Sequence, residues 1–498
     1  MAKHIEFEPS RTLTEFRLLP GCTTEATTLT HVNLQTRLVR LARGDGWMGI
    51  KIPLVAAAMQ SVSGARMGLE MARLGGLAFI FASQPIERQV EMVRRIKNYK
   101  AGFVTPETVP ADMPISELAE LTRRRGFATF PVLDASGVFV GLITRNDYDA
   151  NRHGHLPVRD RMIARPALAV GGVSQDLREA NAVLMDSHQT VLPIVDAQDA
   201  VRYLVFRKDI TDHLDNPLQL VDGRKRLMAA AAVNTHDYVD RVSALVEAGV
   251  DVIAVDSSHG HSVFQERTLH WIRTHHPDLP VIGGNVITGS GFDFLVEAGA
   301  CGVKVGMGGG SICITQEQKG TGRGLATAIM KVAEARDAHA ERTGNYIPII
   351  ADGGIVHAKD IVVALALGTD VVMMGRYFAR MDESPTEKVT INNRVMKPYW
   401  GEGAQRAREW KAVRYHQAVF AEGVEGFVEY AGKLRDNLDD TLAKIRASMS
   451  TCGVATIEEL HSGAELELVS ALSIREGQVH DIHLPGPEAL YGSTKWGD

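Results

Sequence analysis

Cysteine is scarce in this chain. There are four in 498 residues, Cys22, Cys301, Cys313 and Cys452, and no C-x-x-C spacing occurs. That excludes a disulfide framework and leaves no zinc-ligand pattern, and it fits a reducing compartment. No apolar run reaches the roughly 18 residues that a membrane span requires. The opening stretch, MAKHIEFEPSRTLTEF, carries acidic residues and no apolar core. It does not read as a secretory signal, and a cytoplasmic protein is expected. Positive charge is not in excess either. The net charge is −6 and the isoelectric point near 6.3, which removes the basic face that a nucleic-acid binder presents. The apolar share, 45%, is ordinary for a globular protein, and a chain of this length allows roughly two to four domains.

Glycine is concentrated where the other residues thin out. The stretch VGMGGGSICITQEQKGTGRG (305–324) holds Gly306, Gly308, Gly309 and Gly310, then Ser311, Cys313 and Thr315. Glycines at this density let a backbone approach a ligand and turn its N–H groups toward an anion. A thiol beside such a loop is a candidate nucleophile. The plain alternative is a glycine-rich turn with an inert cysteine.

From Ile52 onward, short apolar runs alternate with amphipathic stretches. The runs are IPLVAAA (52–58), GLAFIFA (76–82), RLMAAAAV (226–233), VIAVDSS (252–258), LPVIGGNV (279–286), GVKVGM (302–307), IPIIADGG (347–354) and VVMMGR (371–376). Continuous apolar strands separated by helices such as YVDRVSALVE (238–247) predict a parallel sheet buried on both faces. Eight units are the count of a (β/α)8 TIM barrel, with a doubly wound sheet as the rival. Glycines and polar residues follow the runs, where a barrel carries its chemistry.

The spacing breaks between the second and third runs, and an internal repeat lies there. GFATFPVLDASGVFVGLITRNDYD (126–149) resembles SHQTVLPIVDAQDAVRYLVFRKDI (187–210), and each is preceded by a helical segment. Two copies of a small α/β unit predict a pseudo-twofold module inserted into the barrel over 101–216. The barrel is then divided into 1–100 and 217–498. Beyond the eighth run, 398–426 is rich in charge and glycine and reads as a mobile flap. LRDNLDDTLAKIR (434–446) is an amphipathic helix, and ELELVSAL (465–472) and REGQVHDI (475–482) look strand-like.

GGGSICITQ (308–316), VDSSHGHS (255–262), VIGGNV (281–286), IADGGI (350–355), MMG (373–375) and EGVEG (422–426) together resemble the inosine 5′-monophosphate dehydrogenase family, and less closely its sister, the guanosine 5′-monophosphate reductases. The resemblance covers nearly the whole chain. It implies that the repeat is a tandem cystathionine-β-synthase-type (CBS) module binding regulatory purine nucleotides, and that the protein is a homotetramer or octamer. Cys313 would be the nucleophile that adds to C2 of the purine, with hydride leaving to NAD. Thr315 and Glu422 match residues near C2. Arg414 and Tyr415 match a pair that activates water. Ser311, Gly354, Gly375 and Arg376 would hold the substrate phosphate and Asp352 the ribose. Tyr399, Gly401 and Gly403 would close on phosphate and base. Asp256, Ser257, Ser258, Asn285 and Gly306 match the dinucleotide side. Carbonyls of Gly308, Gly310 and Cys313 match a potassium site, completed by Glu476, Gly477 and Gln478 across a subunit interface.

Some positions depart from the family pattern. Arg376 stands where Ser is usual, Lys304 where Arg is frequent, Leu325 where Pro-Gln is usual and Glu402 where Met is common. The short lid between Arg414 and Glu422 resembles the reductase. Two enzyme readings therefore stand: a dehydrogenase that needs the Arg414–Tyr415 pair, and an NADPH-dependent reductase that converts guanosine monophosphate to inosine monophosphate. A nucleotide sensor without catalysis is a third, against which Cys313 and Thr315 argue.

Overall fold

The computed structural model describes residues 5–99, 102–125, 127–207, 216–408 and 420–480. Eight parallel strands close into a barrel: β1 (Leu54–Ala56), β2 (Leu77–Ile80), β3 (Ala230–Val233), β4 (Val252–Val255), β5 (Val281–Val286), β6 (Gly302–Val305), β7 (Ile349–Asp352) and β8 (Val371–Met374). Each lies within one of the eight apolar runs, so the TIM-barrel expectation holds and the open sheet does not. The alternation of side chains explains why the runs are continuous. Val55, Phe79, Ala232, Ala254, Ile282, Ile350 and Met373 fill the interior. Ala56, Ile80, Val233, Val255, Val305, Ala351 and Met374 face outward into a second buried layer under the helices. Both faces are apolar because both are covered.

The helix after each strand completes the unit. Tyr238–Glu247 and Ala358–Ala366 agree closely with their amphipathic segments, while Leu434–Thr451 runs one turn beyond the expected end. The base of the barrel is plugged by an antiparallel hairpin, Thr36–Arg40 with Trp47–Ile50. Its Leu38, Val39 and Ile50 are fully buried against the barrel interior. Thr36 Oγ1 donates to the Asp370 carbonyl at 3.0 Å and the Arg40 N–H to Cys301 O at 2.9 Å, both just ahead of barrel strands. The lower end is thereby closed, and the upper end, after the strands, is left for chemistry.

Between β2 and β3 lie two four-stranded sheets. In the first, Phe130–Leu133 pairs antiparallel with Phe139–Ile143. In the second, Val191–Val195 pairs antiparallel with Val201–Phe206. Helices Ile115–Arg125 and Leu177–Ser187 precede these pairs, as the repeat predicts. Each sheet takes its outer strand from elsewhere: Ile163–Ala164 joins the first, and Phe103–Val104, from the start of the insert, joins the second. That exchange makes the two units one body.

The C-terminal reading needs correction. Only Leu466–Leu468 is a strand, pairing antiparallel with Phe16–Leu18, and Ala471–Glu476 is a helix. Ser470 starts it by accepting the Ser473 N–H, and this cap overrides the weak alternation of REGQ. The expected flap is also less open than its composition suggests. Arg394–Trp400 and Glu425–Glu429 pair antiparallel, so both ends of 398–426 are stitched into a sheet. Trp400, Ala404 and Ala407 form a small buried cluster there. Residues 409–419 lie outside the described part.

Candidate active site

The glycine-rich loop leaves β6 at Gly306, whose φ of 137° no other residue adopts readily, and where a Cβ would strike the Asp352 carbonyl. The loop turns back at Cys313, whose N–H donates to Gly310 O at 3.0 Å. There it is zipped to a segment more than a hundred residues away. The Ile314 N–H donates to Glu422 O and the Val424 N–H to Ile312 O, both at 3.0 Å, with Cys313 opposite Gly423. A Cβ on Gly423 would lie 3.1 Å from the Ala404 nitrogen, so the small residue permits the pairing.

Pairing brings three predicted side chains into line. Cys313, half-buried, has its Sγ 3.2 Å from Thr315 Oγ1. The Thr315 hydroxyl donates to Glu422 Oε2 at 3.2 Å. A fourth group, not foreseen, ends the row: Lys319 Nζ lies 2.6 Å from Glu422 Oε1. Lys319 closes the short helix Thr315–Lys319, whose first residue is Thr315 itself.

The residues matched to phosphate binding also gather. The backbone of the glycine loop touches the turn after β7. A Cβ on Gly353 would stand 3.4 Å from Gly310 N, and one on Gly354 would stand 3.3 Å from Gly309 O. A Cβ on Gly375, after β8, would stand 2.8 Å from the Tyr399 hydroxyl. Ser311 and Tyr399 are hydrogen-bonded, and burial pushes the Tyr399 phenol far above its ordinary value. Arg376 follows Gly375, and no carboxylate pairs with it among the described residues. Three backbone turns, two hydroxyls and a free cation suit an oxyanion.

Along the barrel axis the predicted substrate and dinucleotide residues are joined by polar contacts. Lys304, on β6, is only 2% exposed. Its Nζ donates to Asp256 Oδ1 at 3.0 Å and lies 3.5 Å from Asp352 Oδ2. Asn285 Nδ2 donates to Gly306 O and to Asp352 Oδ2, each at 3.0 Å. Ser257 is turned into its own loop, donating to His259 O at 3.0 Å, while Gln265 Nε2 donates to it at 2.8 Å. Ser258 follows in the same loop, with no hydrogen bond of its side chain among the described residues.

The turn carrying Gly401 and Gly403 is fastened at both sides. The Glu422 N–H donates to Gly403 O at 3.1 Å. Glu402, buried, accepts the Gln60 N–H at 2.6 Å and the Ser83 hydroxyl, which ties the turn to the loops after β1 and β2. Its carboxylate occupies a position that the sequence marked only as a departure from the family pattern.

Not every expected residue joins the site. Arg414 and Tyr415 lie outside the described residues. Glu476, Gly477 and Gln478 end the C-terminal helix, and no hydrogen bond or strand pairing links them to Gly308–Cys313 among the described residues. No cluster of three or more His, Cys, Asp or Glu side chains suited to a metal occurs there either. No described helix is long and apolar enough to cross a membrane. The groups missed in the sequence are the Lys304 bridge, Lys319 and the Glu402 anchor. A lysine four residues after Thr315 was the one available signal for the second of these.

Comparison with known proteins follows this geometry. A family described as the IMP dehydrogenase / GMP reductase domain matches residues 10–480. The chain is 45% identical over 494 residues to the inosine-5′-monophosphate dehydrogenase of Tritrichomonas foetus, covering 97% of this chain and 98% of that one. It is 37% identical over 465 residues to the enzyme of the same name from Escherichia coli K12, covering 90% and 92%. Among solved structures it is similar to a GMP reductase of Trypanosoma brucei, a cysteine-to-alanine variant in complex with guanosine 5′-monophosphate. There the TM-score is 0.79 and the identity 28%, over 96% of this chain and 99% of that one.

Proposed function

The chain belongs to the IMP dehydrogenase / GMP reductase family, and from that premise we propose that this NAD-dependent oxidoreductase converts inosine 5′-monophosphate, NAD and water into xanthosine 5′-monophosphate and NADH through a covalent adduct on Cys313. The observation that carries the reading is the row Cys313–Thr315–Glu422 at 3.2 Å per step, at the open end of the barrel beside the glycine turns. A thiol next to a hydroxyl–carboxylate pair suits a reaction that forms a carbon–sulfur bond and then hydrolyses it.

The phosphate rests against the turns at Ser311, Gly354 and Gly375, with Tyr399 and Arg376 at its sides. Asp352 accepts hydrogen bonds from the ribose hydroxyls, and its orientation is held by Asn285 and Lys304. The Cys313 thiol adds across the C2–N3 bond, sulfur to carbon and proton to nitrogen. NAD, when bound, supplies the acceptor for the hydride that then leaves C2. With the N3 proton lost to solvent, a C2–S thioimidate remains. Water attacks C2 and gives a proton toward Thr315 and Glu422, and the C2–S bond breaks to restore the thiol. Gly401 and Gly403 close over the base. Arg414 and Tyr415 would assist the hydrolytic step.

The carboxylate of Asp256 and the hydroxyls of Ser257 and Ser258 fit the hydroxyl-rich dinucleotide, with Asn285 and Gly306 beside them. Potassium fits the donor set too, since Gly308, Gly310 and Cys313 offer carbonyls and no charged cluster competes. Glu476, Gly477 and Gln478 would come from a neighbouring copy in a tetramer or octamer. The two inserted four-stranded units are read as a tandem CBS module, spanning 101–216, for regulatory purine nucleotides.

The reductase reading is kept because the Trypanosoma brucei structure covers 96% of the chain. Absorbance at 340 nm distinguishes the two. The dehydrogenase makes NADH from inosine monophosphate and NAD, whereas the reductase consumes NADPH with guanosine monophosphate.

A further inference from the structure

Glu422 is gripped from two sides by one turn of helix. Thr315 and Lys319 are four residues apart in Thr315–Lys319, a spacing that sets both side chains on the same helix face. The Thr315 hydroxyl takes Oε2 and the Lys319 ammonium takes Oε1, at 3.2 and 2.6 Å. The carboxylate is 8% exposed and the lysine side chain 36%, so the ion pair spans the boundary between site and solvent.

We propose that Lys319 is a positioning residue for the hydrolytic half of the reaction, fixing one oxygen of Glu422 so that the other stays aligned with Thr315. This rests on the dehydrogenase reading. A free carboxylate turns about its last carbon–carbon bond and points either oxygen either way. With Oε1 held by an ammonium, Oε2 keeps a single direction, and that direction is the hydroxyl 3.2 Å from Cys313 Sγ. Lys319 has no contact with Cys313, and its other neighbour is the Phe420 ring, 5.9 Å from Nζ. It therefore acts on the thiol's chemistry only through Glu422. Hydride departure needs the thiol and the ring alone, whereas hydrolysis needs an aligned acceptor for the proton of water. Loss of Lys319 should divide the two stages.

The test is single-turnover and steady-state formation of NADH by the full chain with inosine monophosphate and NAD, for Lys319→Met, Lys319→Gln and Lys319→Arg. In the two neutral variants the first NADH should form within about twofold of the wild-type rate. Steady-state turnover should fall roughly tenfold or more, the scale of one charge-assisted hydrogen bond. The Cys313 adduct should accumulate in intact-protein mass spectra, and Lys319→Arg should recover most of the lost turnover. Equal loss in both stages, wild-type turnover in the neutral variants, or an Arg variant no better than Met would each overturn the role. A wild type that makes no NADH overturns the dehydrogenase reading and this proposal with it. A wild type that does, beside unaffected variants, overturns the proposal alone.

Discussion

Asn285 and Asp352 are joined side chain to side chain: Nδ2 of the amide donates to Oδ2 of the carboxylate at 3.0 Å. One was matched to the dinucleotide side and the other to the ribose of the substrate. Lys304 reaches the same Oδ2 and also pairs with Asp256, so the two halves of the site share one buried cation.

Lys304→Met leaves two carboxylates without that cation. Breaking a buried ion pair by removing one partner costs about 3–5 kcal/mol, because the remaining charges stay desolvated. The denaturant midpoint should fall accordingly, and KM should rise for both substrate and dinucleotide. Pairing Lys304→Met with Asp256→Asn should recover part of the lost stability. A Lys304→Met protein of unchanged midpoint would show that the bridge contributes little.

The barrel is legible in the sequence because each strand is an uninterrupted apolar run that ends in glycine or a polar residue. The hairpin at the barrel base is not. Thr36–Arg40 carries two arginines in five residues, and its burial comes from plugging the barrel, a tertiary fact without local pattern. The phosphate cradle is legible through its glycines. The zipper between Cys313 and Gly423 is not, since it joins segments far apart in sequence through backbone groups, which any residue supplies. Lys304 was read as an imperfect copy of an arginine. Its two carboxylate partners, on β4's end and β7, appear only when the barrel closes.

Cys313→Ala should abolish turnover while inosine monophosphate still binds, because the cradle built on Ser311, Gly354, Gly375 and Tyr399 does not use the thiol. Isothermal titration should give affinity within about tenfold of wild type, since a thiol makes at most a weak hydrogen bond. Measurable turnover in the alanine variant would remove the covalent route.

Lys397 makes stability depend on pH. It lies on Arg394–Trp400, is 1% exposed, and donates to Met381 O at 2.6 Å and Ser384 O at 3.2 Å. Burial among neutral carbonyls pushes its pKa down to about 8, against a smaller upward pull from Asp382. The folded pKa is below the unfolded one, so the fold favours the neutral amine. Stability should therefore rise with pH from about 8 to about 10.5 and be flat in this contribution below 8. Denaturant midpoints across that range should show the rise, and Lys397→Met should flatten it. An equal slope in both proteins would assign the titration elsewhere.

Deleting 101–216 with a short linker should leave a folded, active barrel. The crossover is fastened outside the deletion: Lys97 Nζ donates to Asp222 Oδ2 at 2.8 Å and to Asp251 Oδ2 at 2.7 Å. What is lost is the Lys225 contact with the insert, where Nζ stands 3.6 Å from the Phe103 ring centre. Turnover should stay within a few-fold, and any response to ATP or GTP should disappear. An unfolded product would contradict the insertion reading, and a retained nucleotide response would contradict regulation through the module.

Arg414 decides whether the hydrolytic stage has a second base. It lies outside the described residues, and its role comes from resemblance alone. Arginine is a poor base in water, with a pKa above about 12. It can take a proton only where Tyr415 and a closed site favour the neutral form. The Thr315–Glu422 pair needs no such help, because its carboxylate is already aligned. If both serve, Arg414→Ala should keep the first NADH and slow steady-state turnover by roughly two decades or more, the size of a lost general base. Adding Thr315→Ala should remove most of what remains, with the Cys313 adduct accumulating in both. Should Arg414→Ala lose the first NADH as well, the arginine serves binding. Should the wild type consume NADPH with guanosine monophosphate and never make NADH, there is no water to activate, and the reductase reading replaces the dehydrogenase.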